Sequence, residues 1–507
     1  MQNKITLVAN PTVAAIHQPT IEQKQELLSA LSYQVMGYEQ TYKFKTGAWD
    51  GRSSFFDWSS NTFPAGFLLF VAAKLRQKGY EVAVVRKPLP EPKGPIRPKV
   101  GDYPDDPRYE YQYEAVNRLV KYGGMIAMLA TGAGKSRVAE LAFSRIRRPT
   151  LFLTTRSLLM YQMKNNVERD FKIPVSVIGD GEFGLDGDKN KLGLFTVATV
   201  QTLTSRLSGP DIHDRGETKR TKLAIQKQTL ALLKKFEFVI LEEAHEVSAG
   251  GYFEICKHCT NAAYRLALTA TPFMKEDEEA NMRLMGSSGP IGIRVTEKQL
   301  IDCGILARPY FKTIHLAQRP KKLFNSTKWA SAYRLGIVLN EERNQKIIQE
   351  ALRAKEHGLS VMCLVQQKDH GKILKQMMAK AGLKANFIFG EDKAKERQTN
   401  LAQLKNKEID VLIGSTILDV GVDVPAVGMV ILAGAGKTQV ANRQRIGRGL
   451  RAKKEGPNVC FIVDFDDPFN KYLVEHAMLR RRIIMTTPGF NEGFVTDFPY
   501  ELFEKGK

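Results

Sequence analysis

The sequence predicts an α/β protein: two doubly wound parallel-sheet domains preceded by a small α+β N-terminal domain. The first observation behind this is an alternation of short apolar runs with helical patterns. Residues 125–129, 150–153, 195–200, 238–241 and 265–269 form one set of five runs; 361–365, 385–389, 410–414, 429–433 and 459–465 form a second. Short, almost continuously apolar runs between helices read as parallel strands covered on both faces. The second observation is length, because 507 residues exceed what one core organises. The third is a break. Pro88, Pro90, Pro92, Pro95 and Pro98 crowd a stretch with few apolar residues, which reads as a linker.

These signals divide the chain into a small N-terminal domain (1–87), a proline-rich linker (88–107), a first α/β domain (108–305), a second (306–470) and a helical tail (471–507). In the first part, a helix is expected near Ile21–Met36. Tyr42-Lys43-Phe44 and Phe55-Phe56 flank Gly47–Arg52, where Asp50-Gly51 reads as a tight hairpin turn. The stretch 205–235 is polar and basic (Arg215, Lys219, Arg220, Lys222) and reads as a surface loop followed by a helix. Past Asp467 the pattern is helical, with Arg480-Arg481-Arg482 near its end.

Composition sets further bounds. With 43% hydrophobic and 25% charged residues, the chain falls in the globular range. Lys and Arg outnumber Asp and Glu by 75 to 54, a net +21 that suits a partner with phosphates or an anionic surface. Of that excess, +12 lies in residues 301–507. Phe67–Ala73, the nearest approach to a membrane span, is ended by Lys74, so no membrane partner is expected. The first residues lack a signal-peptide layout, and the scattered Cys256, Cys259, Cys303, Cys363 and Cys460 fit reduced thiols, so a cytoplasmic setting is expected. Cys256-Lys257-His258-Cys259 has metal-ligand spacing, but a closed zinc site needs four ligands and no second pair exists.

The chemistry concentrates in a few places. Ala130-Thr131-Gly132-Ala133-Gly134-Lys135-Ser136 follows an apolar strand and opens a helix. Its backbone N–H groups can wrap phosphates, Lys135 can neutralise their charge, and Ser136 can hold Mg²⁺. Leu129 stands where the usual motif has its first glycine. A second loop, Gly434-Ala435-Gly436-Lys437-Thr438, looks as good locally. The residues downstream of each loop decide between them. Only the first loop leads on to a strand ending in paired carboxylates, Glu242-Glu243, and then to Thr269-Ala270-Thr271-Pro272. Glu242 is expected to steer Mg²⁺ and Glu243 to orient and deprotonate the attacking water of a nucleotide hydrolysis. In the second α/β domain, Ser415–Pro425 places polar residues at a strand end. Gln444–Arg451 spaces Arg445, Arg448 and Arg451 three apart, on one face of an expected helix. Arginine forks stabilise charge on a transferred phosphoryl group.

In this order, the motifs resemble those of the superfamily 2 helicases of the DExH type, over roughly residues 108–455. The resemblance implies two RecA-like domains, ATP and Mg²⁺ as cofactors, and a nucleic-acid-dependent ATPase. It places Gln112 at the adenine, Thr131, Gly132, Ala133, Gly134, Lys135 and Ser136 around the phosphates, and Asp419 and Gly421 in the nucleotide cleft. Arg448 and Arg451 would reach ATP. Thr155, Arg156, Thr199, Gln201 and Thr416 would touch the strand, and His245, Thr269, Thr271 and Gln444 would couple ATP state to grip. Two departures stand out. Glu242 replaces the usual Asp, and Thr154 replaces a usual proline. Ser415–Pro425 is similar to the corresponding segment of RecG-type motors, and Tyr42–Arg52 resembles the small domain of phage UvsW-like helicases. That likeness implies unwinding and branch migration of forked or four-way DNA in phage recombination, repair and replication, in the host-cell cytoplasm, with recombination or replication proteins as partners. The competing readings are a DExH-type RNA helicase, the motor subunit of a nuclease assembly, and an ATP-gated nucleic-acid clamp that does not translocate.

Overall fold

The computed structural model describes residues 4–101, 105–185, 188, 191–244, 250–273, 277–389, 394–414, 426–436, 446–447, 449–453 and 456–503. They divide into two compact units: Met1–Leu129 with Gly134–Arg294, and Ala130–Ala133 with Val295–Lys507.

The first unit begins with a small α+β domain. Strands β1 (Lys4–Ala9), β2 (Val13–Ile16), β5 (Thr62–Pro64) and β6 (Glu81–Arg86) form a sheet in the order β5-β2-β1-β6. Beside it, β3 (Ser32–Gln34) pairs with β4 (Arg52–Ser54). The helix Leu68–Gln77 buries Leu68, Val71, Ala72 and Leu75, a spacing of three and four that keeps one stripe on the core. A capping box of Thr20 and Gln23 starts the helix Ile21–Ala30. It stops six residues short of the expected Met36, because Leu31 is buried and the chain then enters β3. Asp50-Gly51 is not a two-residue hairpin turn either. The β3–β4 connection is a long excursion, Asp50 Oδ1 accepts from the Arg52 N–H, and Gly51 takes φ +78° against the ring of Tyr38.

This small domain is built onto the α/β part of its own unit through the helix Glu278–Ser288. Tyr33 Oη donates to Glu279 at 3.2 Å, and the Gln34 N–H donates to Glu278 at 2.7 Å. Met282 and Met285 join the small domain's core, and Phe55 meets Phe253 edge-on at 5.5 Å. Gly66 lies so close that a Cβ there would stand 2.3 Å from the Met285 carbonyl. The proline segment runs as a strap over the same unit. Its Gly94 N–H donates to Arg145 O, Arg145 donates back to Gly94 O, Arg148 holds Glu91 O, and Tyr264 Oη donates to Pro90 O.

The sheet of the first α/β part has the order β10-β9-β11-β8-β12-β13-β7-β14. Its members are β7 (Gly124–Leu129), β8 (Thr150–Thr154), β9 (Val175–Gly179), β10 (Glu182–Gly184), β11 (Phe195–Thr199), β12 (Phe238–Leu241), β13 (Tyr264–Thr269) and β14 (Ile291–Val295). From β9 across to β7 every pairing is parallel. The expected loop at 205–235 is helical over most of its length, Val200–Leu207 and then Gly216–Leu233.

The second unit carries an all-parallel sheet in the order β15-β20-β19-β16-β18-β17. These strands are β15 (Arg308–His315), β16 (Val361–Leu364), β17 (Ala385–Ile388), β18 (Val411–Gly414), β19 (Met429–Ile431) and β20 (Val459–Asp466). The C-terminal segment completes this core: beyond the helix Lys471–Thr486, Phe498 stacks on Phe461 at 4.4 Å and Tyr500 meets it edge-on. Among the described residues no helix is long and apolar enough to cross a membrane.

Candidate active site

The first glycine loop connects β7 to the helix Lys135–Ile146. Gly132 (φ +92°) and Gly134 (φ +78°) take conformations that side-chain-bearing residues avoid, and the Ala133 N–H closes a turn onto Ala130 O. A Cβ on Gly134 would stand 2.6 Å from Gln112 Nε2. Val138, Ala139, Leu141, Ala142, Phe143 and Ile146 are buried, which anchors the helix and fixes its N-terminus at the loop. The unsatisfied N–H groups of that first turn give it positive potential.

Two strands along the sheet, β12 ends in the carboxylate pair. The Glu242 N–H donates to Leu153 O, and Tyr252 Oη donates to Glu242 O at 2.7 Å. Glu243 sits at φ +45°, a strained geometry for this residue, and its carboxylate lies 3.6 Å from Lys135 Nζ. Burial, and then the charge of Glu243, push the Glu242 carboxyl well up; Lys135 opposes this. Glu242 Oε2 is buried without a hydrogen-bond partner among the described residues. An orphaned, buried carboxylate oxygen is a donor that suits a hard divalent cation, so the residues present fit Mg²⁺.

Gln112 is buried, and its Oε1 accepts from Arg137 at 2.7 Å, which locks it to the helix behind the loop. At the C-terminal ends of the neighbouring strands β8 and β11, Gln201 Nε2 donates to Thr155 O at 3.0 Å, Arg156 is exposed and Thr199 Oγ1 donates to Thr202. Thr155, Arg156, Thr199 and Gln201 therefore share one patch. At the end of β13, the Thr271 N–H donates to Thr269 Oγ1, and Thr271 Oγ1 is buried without a partner among the described residues. Sequence reasoning missed Arg137 and Tyr252, which position Gln112 and Glu242. Arg137 directly follows Ser136 and was open to notice; Tyr252 carries no signal.

His245, Thr416, Asp419, Gly421, Lys437, Gln444, Arg445 and Arg448 lie outside the described residues. In the second glycine loop, Gly434 O accepts from Tyr333 Oη at 2.7 Å and Ala435 O from Gln366 at 3.0 Å. The arginine face needs correction. Ile446, Gly447 and Gly449 are helical, but the Leu450 carbonyl is taken by the Ala307 N–H, and Arg451 bridges to Leu306 in extended backbone, off the helix. Arg480 is not a surface cation either. It is fully buried, donating to both carboxylate oxygens of Asp464 at 2.9 and 3.0 Å. Beside it, Arg343 donates to Asp467 at 2.6 Å. Lys453 is partly buried against Val459 O. The Cys256 and Cys259 thiols are buried and unbridged, and burial raises both.

A glycine loop and a buried carboxylate pair at the C-terminal ends of strands in one parallel sheet, followed in the chain by a second parallel-sheet unit, define a P-loop protein with two α/β domains. Residues 107–274 match the family model for the type III restriction enzyme res subunit, and residues 342–453 match that for the helicase conserved C-terminal domain. Together the two models cover more than half of the chain. The chain belongs to the superfamily 2 helicases.

Relatives agree with that assignment. The DNA 3'-5' translocase XPB2 of Sulfurisphaera tokodaii is 26% identical over 407 residues, 74% of this chain and 84% of its own. The DNA 3'-5' helicase XPB of Kineococcus radiotolerans is 24% identical over 355 residues, 69% of this chain and 58% of its own. Several of these relatives are longer: the chain spans 64% of one from a Sulfolobus islandicus filamentous virus and 52% of one from Halobacterium salinarum. Among solved structures, T4 UvsW aligns over 97% of this chain and 98% of its own at 18% identity, with a TM-score of 0.47.

Proposed function

We propose that the chain is an ATP-dependent DNA helicase or translocase that unwinds and branch-migrates forked or four-way DNA. The observation that carries the motor reading is the contact of Lys135 with Glu243 beside the orphaned oxygen of Glu242, at the same end of the sheet as the first glycine loop. In this reading Thr131–Gly134 and Lys135 hold the phosphates, Gln112 lies at the adenine, and Ser136 and Glu242 hold Mg²⁺. When bound, the cation supplies charge neutralisation on the phosphate oxygens. Glu243 releases Lys135 to the nucleotide, then orients water and accepts its proton. The family resemblance implies nucleotide-binding roles for Asp419, Gly421, Arg448 and Arg451 and coupling roles for His245, Thr269, Thr271 and Gln444. Thr155, Arg156, Thr199, Gln201 and Thr416 hold the strand.

The choice of DNA, and of 3'-5' movement, is supported by the names of the XPB relatives. Branch migration in phage recombination is supported by the likeness of Ser415–Pro425 to RecG-type motors and of Tyr42–Arg52 to UvsW-like proteins. The test compares ATP hydrolysis and strand displacement on single-stranded, duplex, forked and four-way DNA beside matched RNA. Forked and four-way DNA are expected to stimulate hydrolysis most. Preference for RNA removes the DNA reading, and hydrolysis without displacement leaves a clamp.

A further inference from the structure

The second unit carries a surface that the motor motifs do not use. Between Ala317 and Asn340 the sequence holds Arg319, Lys321, Lys322, Lys328 and Arg334 and not one acidic residue. The segment is firmly held, although much of it is irregular. Asn470, fully buried at the start of the helix Lys471–Thr486, donates to the carbonyls of Phe324, Asn325 and Thr327 at 2.9, 3.2 and 3.0 Å. Leu323 and Leu473 share a buried cluster beneath it, and the Phe324 N–H is held by Thr327 Oγ1.

Two large rings nevertheless face solvent. Phe324 is 55% exposed and Trp329 is 37% exposed. One edge of the Trp329 ring rests on His476 at 4.4 Å, with Tyr333 and Tyr472 alongside, so its orientation is fixed. Lys321, Lys322, Lys328 and Lys471 are exposed, and none is ion-paired among the described residues. The neighbouring carboxylates are Glu342, which is engaged by the N–H groups of Ala317 and Gln318, Asp369, which pairs with Arg334 at 3.8 Å, and Glu341 and Glu475, both exposed on helices.

We propose that Phe324 and Trp329, with Lys321, Lys322, Lys328 and Lys471, form a docking surface for single-stranded nucleic acid. Bases stack on the two rings and phosphates meet the four ammonium groups. Oriented aromatic rings set in an uncompensated basic field are the two features that sequence-tolerant single-strand binding requires. A surface meant only to stay soluble gains nothing from exposed aromatic rings. Choosing a nucleic acid as ligand rests on the proposed function; the existence of an anion-binding aromatic surface does not.

The test measures nucleotide-free binding of the full chain to a labelled oligothymidine and to an abasic strand of equal charge. Phe324→Ala is expected to weaken oligothymidine binding on the order of tenfold while leaving the abasic strand within about twofold, because stacking alone is removed. The Lys321→Glu, Lys322→Glu double variant is expected to weaken both and to flatten the dependence on salt. DNA-independent ATP hydrolysis and the melting temperature should not move in either variant. Unchanged oligothymidine binding by Phe324→Ala overturns the proposal. So does an oligoglutamate that competes as well as oligothymidine, since that outcome assigns the surface to an acidic protein. Absence of DNA-stimulated hydrolysis in the unaltered chain would instead remove the helicase reading, so the two failures are distinguishable.

Discussion

Two glycine loops in this molecule are nearly interchangeable as strings and quite different as structures. Ala130–Ser136 leads from β7 into a helix whose apolar faces are buried, and a lysine at its start reaches a buried glutamate. Gly434–Gly436 follows β19, but its carbonyls are already taken by Tyr333 and Gln366. An added Cβ on Gly434 would lie 2.6 Å from the Gln366 nitrogen, so this glycine serves close packing of backbone on backbone. The same residue type thus does two jobs. In the first loop both glycines permit a left-handed backbone; in the second, Gly434 leaves room for a neighbouring chain segment, and Gly436, at φ +116°, takes the left-handed region.

The contrast can be broken most directly at the two lysines. Lys135→Ala is expected to lower ATP turnover by on the order of a thousandfold, since both phosphate neutralisation and the Glu243 contact are lost. Lys437→Ala is expected to stay within about twofold, measured in the same steady-state ATPase assay. The reverse result would exchange the assignments of the two loops.

A smaller effect sharpens what the second unit is built for. Arg480→Ala leaves Asp464 buried without the Nε–H that both its oxygens share, beside the Arg343–Asp467 pair. Breaking such a pair costs about 3–5 kcal/mol. Chemical denaturation should show the second unit unfolding at lower denaturant than in the unaltered chain. The smallest effect lies on the helix behind the first loop. There burial pushes the Glu140 carboxyl up to about 7, while Asn166 donates to it at 2.8 Å. The folded state then binds more protons than the unfolded state between the ordinary carboxylate range and about pH 7. Stability is therefore lost as pH rises through that window, by on the order of 3 kcal/mol when complete. Glu140→Gln should remove this slope, seen as a melting temperature that no longer falls between pH 5 and about 8.

Much of the fold was legible because buried parallel strands are nearly unbroken apolar runs. All ten such runs are strands. The strands that escaped notice carry polar residues for identifiable reasons. β9 has a serine at its second position, and β15, at the sheet edge, sets exposed Arg308 and His315 beside buried Pro309 and Phe311. The ordered motifs made the first loop and Glu242-Glu243 legible, since strand ends fix their neighbours. Long-range partners were not legible. Nothing local in Arg480 distinguishes a buried ion pair from a solvated cation, because its partner Asp464 lies on a strand sixteen residues earlier. Arg451 failed as a helix-face residue because a long-range pairing draws it off the helix: the Ala307 N–H takes the Leu450 carbonyl and Leu306 bridges to Arg451.

The seam between the small N-terminal domain and the helix Glu278–Ser288 bears on how this chain can be dissected. Met282, Met285 and Phe253 are shared property, covered from one side by residues before 70 and from the other by residues beyond 250. Deleting residues 1–87 would not subtract a detachable part. It would lay bare an oily face on the remainder, and a shortened chain that clumped or lost activity would report that face and not a missing DNA contact. Nor would a protease cut among the prolines release the small domain, because buried side chains hold it independently of the peptide bond. Modularity in this molecule ends at the linker's appearance; the small domain is a permanent fitting of the first unit.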